Sequence, residues 1–324
     1  ATGGDNTAIG YHALFVNTTG TSNVAVGKSV LDANTTGAAN TGVGLNSLSA
    51  NTTANNNTGF GAYTLEDNST GTANVAVGAG ALKNNTTANN NVALGLDALM
   101  TNTTGANNVA VGKDALRDST TASNNTAVGH NALTSNTTGT QTAVFGYQAG
   151  DSITTGGAHT IIGYQAGQAV VDVDHNTLVG QAAGYSITGG NNTIAGSNAG
   201  YYLTTGTNNV AFGKDAMQGV STGATAANNV AIGLSSLIAV TTGGTNVAVG
   251  NYSMAAMTTG ARNVAMGYAA LDAASTTSDN TAIGYDSLTA TTSGYSNVAV
   301  GKDALKSNTE GQSGVAVGAD AATS

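Results

Sequence analysis

Five tyrosines, three aspartates and four histidines are the residues from which this chain would have to build chemistry. Tyr147 and Tyr164 stand seventeen residues apart, Tyr185 and Tyr201 sixteen apart, and Tyr202 follows directly. Aromatic side chains recurring at a fixed interval suit contact with a glycan or a protein receptor, because tyrosine combines a rigid apolar ring with a polar tip. The other use of such a series is a stacked ladder that supports turns. Asp286, Asp303 and Asp320 also recur every seventeen residues. Carboxylates stacked in that way repel one another. A calcium ion could bridge them, and Lys302, beside Asp303, or plain solvation relieves the same repulsion without a metal. His12, His130, His159 and His175 share no interval, so they define no common catalytic or metal-binding face. GFGAYT from Gly59 and VGAGAL from Val77 lack the glycine spacing and the lysine of a phosphate-binding loop. DVDH, from Asp172 to His175, reads as a solvated loop. No nucleophile is paired with a base, so the expectation is a protein that is not an enzyme and needs no cofactor.

The composition restricts partners further. Charged residues make up 8% of the chain, against about a quarter in ordinary domains. Net charge is -9 with eight Lys+Arg, which argues against nucleic acid and anionic membrane surfaces, both of which require basic patches. No apolar run approaches the length of a membrane span. There is no cysteine, so disulfides and thiolate metal sites are excluded, and an extracellular setting is compatible with that. The chain begins at Ala1, as a processed chain or a fragment would.

What positions these residues is a repeat. The glycine closing each apolar triplet falls at Gly10, Gly27, Gly44 and so on to Gly318, nineteen times, in steps of seventeen except for one of sixteen and one of twenty. The longer step reflects a three-residue insertion, placed near Ala224 to Ala227. The consensus is Asn-[Thr/Val]-Ala-Val-Gly-x-x-Ala-Leu-x-x-Asn-Thr-Thr-Gly-x-x, numbered here from its first Asn as position 1. Position 1 is Asn in sixteen copies, position 4 is apolar and position 5 is Gly in all nineteen, and position 9 is Leu in twelve. Seventeen residues are too few for a two-helix repeat. Val, Ile and Thr before the glycine favour a strand, and Gly at 5 and NTTG at 12 to 15 mark turns. One repeat therefore holds one short strand or two, cannot close a core alone and must stack on its neighbours. The fold class expected is all-β: a parallel β-solenoid of nineteen coils, one array over residues 1–324 with no linker. Asn at position 1 is placed to form a ladder from coil to coil.

Positions 3 and 4 point to opposite faces of a strand, yet both are apolar. One fills the coil; the other must be covered, which is best explained by packing of chain against chain. Most copies pair a small residue at position 3 with Leu at position 9, as in Ala110 with Leu116. Four consecutive copies reverse this: Val144 with Gly150, Ile161 with Gly167, Leu178 with Gly184, Ile194 with Gly200. Position 12 changes with them, from Asn to Ile153, Val170, Ile187 and Leu203. Exchange of large for small at constant volume puts positions 3 and 9 in one core layer and defines a variant block from about 142 to 206. All five tyrosines named above lie in it.

NVAVGKDAL (Asn108 to Leu116) and NTAIGYDSL (Asn280 to Leu288) resemble the head repeats of trimeric autotransporter adhesins. The NTAIGY-x-AL…NTTG form is also similar to repeats of phage tail-fibre proteins. The resemblance implies a left-handed parallel β-roll, three chains side by side and a role in attachment at a cell or virion surface; the repeat is longer than that of the adhesins. It makes the expected partners a second and third copy of the chain and a glycan or protein receptor on a host cell or matrix. A subunit of an end-to-end filament, an ice-binding solenoid displaying its Thr-Thr pairs, and a glycan-active β-helix enzyme are the alternatives.

Overall fold

The computed structural model describes residues 3–323. Among them the regular structure is entirely β, in nineteen strands of three residues each. The chain divides after His159 into two compact units. The first contains nine strands, from Thr7–Ile9 to Ala143–Phe145; the second contains ten, from Thr160–Ile162 to Val315–Val317. Within each unit every strand pairs in parallel with the next and in repeat register, as Val109, Ala110 and Val111 do with Thr126, Ala127 and Val128. Each unit is thus a parallel β-solenoid with one strand per coil, formed by positions 2 to 4.

The strand is short because the backbone leaves the extended region directly after it. Gly at position 5 has φ between +120° and +147° throughout, a region closed to side chains. A Cβ there would also collide with the position-5 backbone of the next coil, as at Gly112 against Gly129. Positions 7, 9 and 17 then adopt left-handed φ in coil after coil, and at position 9 the residue is usually Leu, with φ between +49° and +56°.

The interior is built from positions 1, 3, 8, 9, 12 and 15. In most strands only the central residue is buried, and the Leu at position 9, from Leu31 to Leu133, are fully buried. The expected sharing of a layer by positions 3 and 9 is visible in the variant block. A Cβ on Gly167 would lie 2.8 Å from Leu178 Cδ1 and 3.1 Å from Ile161 Cδ1, and one on Gly184 2.9 Å from Leu178 Cδ2. A second exchange of volume escaped the sequence reading. Val30, Ser47 and Thr64 enlarge position 8, and Gly42 and Gly59 shrink position 3 opposite them: a Cβ on Gly42 would strike Val30, and one on Gly59 would strike Ser47 Oγ.

Two asparagine ladders hold the coils in register. Asn74 at position 1 is typical. Its Nδ2 donates to the Ala88 carbonyl at position 15 of its own coil (2.8 Å), and its Oδ1 accepts the Asn91 backbone N–H of the next (3.0 Å). The side chain therefore closes one coil and fixes the following one. The second ladder is at position 12, inside the expected NTTG turn. There Asn34, Asn51, Asn68, Asn85 and Asn102 each donate to the preceding Asn Oδ1 at 2.7–3.1 Å. The recurrence of Asn at 12 was the available signal. The insertion sits slightly earlier than expected: Gly219 still bonds Ile238 and Ala224 is bridged to Leu203, so it is residues 220–223 that loop out.

Candidate interaction surfaces

Positions 2 and 4 flank the buried centre of each strand and face outward. No charged residue occupies either position in any of the nineteen repeats. In the first unit the outward column at position 4 includes Phe60, Leu94 and Phe145, at 55%, 46% and 41% exposure; in the second it includes Ile162, Phe212 and Met266. Large apolar residues at position 6, Leu45 and Leu96 among them, extend this face past the glycine. A column of apolar residues at position 4 on every coil, beside an uncharged position 2, is unlike the scattered apolar residues of ordinary surfaces.

The variant-block tyrosines separate into groups. Tyr185 and Tyr201, at position 10 of adjacent coils, stack with ring centroids 4.7 Å apart and planes within 5°, and Tyr202 meets Tyr201 edge-on at 4.6 Å. All three are half-buried. Burial, with smaller contributions from Tyr185 and Tyr202, pushes the Tyr201 phenol above its ordinary pKa. Stacking turns the Tyr185 and Tyr201 faces toward each other. Tyr147, in the first unit, and Tyr164, in the second, are exposed; His130 stacks on Tyr147 at 5.4 Å. The structure adds a tyrosine row outside the block: Tyr268 and Tyr285 stack at 5.2 Å, and Tyr252 meets Tyr268 edge-on at 5.8 Å. Tyr268 and Tyr285 share position 6, so their spacing of seventeen was legible; Tyr252, at position 7, broke the pattern.

Two of the three column aspartates share a counterion. Lys306 Nζ lies 2.9 Å from Asp286 Oδ2 and 2.7 Å from Asp303 Oδ1, and Lys302 lies 3.1 Å from Asp303 Oδ2. Lys302 is thus one partner of the column, as its position suggested, but the group joining two coils is Lys306. Hydrogen bonds from Lys306 and then Lys302 hold Asp303 below the usual carboxylate range. The bonds to Asp303 and Asp286 raise Lys306. Asp272 shifts upward, chiefly because burial disfavours its charge. Among the described residues no group of three His, Cys, Asp or Glu is placed to hold a metal ion, and no helix is long and apolar enough to cross a membrane. His12 is sandwiched between Tyr11 and Phe15 at 3.9 and 4.4 Å, and His159 is buried at position 1 in place of Asn.

The Thr-Thr pairs divide their roles. The position-13 hydroxyl donates along the solenoid axis, from Thr86 to the Thr103 carbonyl and from Thr103 to that of Thr120, both at 3.0 Å, while Thr87 and Thr104 at position 14 face solvent. A cleft of about 320 Å³ is lined by Leu305, Asn308, Glu310 and Ala322 among others, with Glu310 its one charged wall residue. No protein-family model matches the chain, and no curated protein matches it.

Proposed function

We propose that this chain is a non-enzymatic structural and adhesive segment of an extracellular fibre or head, working at a cell or virion surface. Its copies associate side by side as a homotrimer of left-handed β-rolls, in line with the adhesin and tail-fibre resemblance. The observation that carries this reading is the outward sheet face. Its positions 2 and 4 are uncharged on every coil, position 4 is apolar throughout, and they repeat at the pitch of the coil itself, about 4.8 Å. A partner that matches it over many coils must have the same pitch, and a second copy of the chain has it. Covering the remaining half of an exposed Leu or Phe contributes roughly 1 kcal/mol, and position 4 offers one at Phe60, Leu94, Phe145 and Phe212.

Attachment is assigned to the tyrosines of the variant block, where the core packing changes and the aromatics gather. The ligand class is a host-cell or matrix glycan or a protein receptor. The test is binding of the full chain to a panel of cell-surface glycans and matrix proteins, with the fold monitored by circular dichroism. Replacing Tyr147, Tyr164, Tyr185, Tyr201 and Tyr202 with Ser is expected to leave the solenoid folded and to abolish most of the binding, since aromatic anchors dominate interface energy. Unchanged binding would remove these residues from the site; melting of the solenoid would make them ladder supports.

A further inference from the structure

The position-12 asparagine ladder of the first unit breaks at Ser119. Around the break, Asn102 Oδ1, Ser119 Oγ and Asn136 Oδ1 have no hydrogen-bond partner, although all three residues are at most 1% exposed. Buried polar atoms without partners are rare and call for a cause.

An intact rung shows what is missing. Asn85 Nδ2 donates to Asn68 Oδ1 of the preceding coil (2.7 Å) and to the Ala88 carbonyl of its own coil (3.1 Å), and its Oδ1 accepts from Asn102 Nδ2 of the next (3.0 Å). Ser119 stands at the equivalent place with a side chain shorter by most of an amide, so four groups lose their usual partner together. Asn102 Oδ1 lacks its donor. The Ala122 carbonyl keeps the bond from Asn108 Nδ2 (2.8 Å) but not the one its own coil's position 12 would give. The Asn136 amide keeps its bond to the Gly139 carbonyl (3.0 Å) but not the one to the preceding rung. The Ser119 hydroxyl is itself unused.

We propose that a single water molecule is bound in the place of the missing amide. It donates to Asn102 Oδ1 and to the Ala122 carbonyl, and it accepts from the Ser119 hydroxyl. Two acceptors and one donor match the about three bonds that buried waters make. A monovalent cation fits worse, because the Ser119 hydroxyl would keep its hydrogen unpaired beside it. The orphaned Asn136 Oδ1 belongs to the other side of its rung, where the next position-12 residue is the apolar Ile153. It adds no second polar wall, so the site holds one water.

The test is a crystal structure of the full chain at a resolution that orders solvent, joined to ¹⁷O relaxation dispersion in solution. The wild-type chain is expected to show one solvent peak within about 2.7–3.2 Å of both Asn102 Oδ1 and Ser119 Oγ, and Ser119→Asn is expected to lose one long-lived water. An absent peak in the wild-type density, or an equal number of long-lived waters in both proteins, would overturn the site. Should Ser119→Asn not fold, the wild-type density decides alone.

Discussion

Leucine in the left-handed region is an uncommon choice, yet this chain makes it at position 9 in twelve coils. Each such Leu carries a backbone cost of roughly 1 kcal/mol and is retained because its side chain fills the layer it shares with position 3. The variant block resolves the same conflict with Gly at 9, where φ is +54° to +59° without penalty, and moves the volume to Val, Ile or Leu at position 3. The two solutions should be interchangeable only as pairs. Leu116→Gly is expected to destabilise by about 2–4 kcal/mol through the cavity, and Ala110→Ile by about 1–3 through overpacking. The double variant should recover part of the sum, and strict additivity in denaturant melts would exclude a shared layer. Asn74→Ala removes the bond that closes its coil and strands the buried Asn91 N–H. A loss of about 2–4 kcal/mol is expected, and a change within about 0.5 kcal/mol would mean that the ladder contributes nothing.

At the scale of the coil, Lys306 between Asp286 and Asp303 is a cross-coil link that depends on charge, as is Arg262 on Asp279. Asp303 is depressed in the folded chain, so its contribution is present above the ordinary carboxylate pKa of about 3.9 and is lost as pH falls through the lower folded value. Lys306 is raised, so its contribution holds below about 10.4 and is lost only as pH rises through its higher folded value. The protection factors of amides near Leu288 and Leu305, corrected for the intrinsic pH dependence of exchange, should therefore be flat across neutral pH and fall in acid. In Asp286→Asn/Asp303→Asn the acid-induced loss of protection should be smaller; an unaltered acid profile would assign the fraying to other groups. Much of the coil was legible in the sequence. The period gave its length, the swap of Ile161 with Gly167 gave the 3–9 layer, and Asn at position 1 gave a ladder. The left-handed φ at 7, 9 and 17 was not legible, because Asp, Leu and Asn there carry no glycine signature. The Lys306 bridge escaped notice because its partner Asp286 is twenty residues away, a diagonal between coils rather than a repeat interval.

At the scale of the whole molecule, the proposed trimer covers the outward face of each unit, and the candidate attachment residues matter only if that cover leaves them accessible. The tyrosines could be recognised as a group from spacing alone. Spacing left two uses open, ligand contact or a stacked ladder; Tyr185 and Tyr201 stack face to face, and which use a pair takes depends on side-chain rotamers. Charges placed on the outward face should act on association while sparing the fold: Phe60→Asp with Leu94→Asp is expected to keep the β signal of the wild type, because surface substitutions cost little. A loss of β structure at low protein concentration would instead put these side chains in the chain's own core. The most direct measurement is the native mass of the full chain at micromolar concentration, by sedimentation equilibrium, beside that of the Phe60→Asp/Leu94→Asp variant. Side-by-side trimers require three times 31.4 kDa for the wild type and a smaller mass for the variant; 31.4 kDa for both would contradict association through the sheet face.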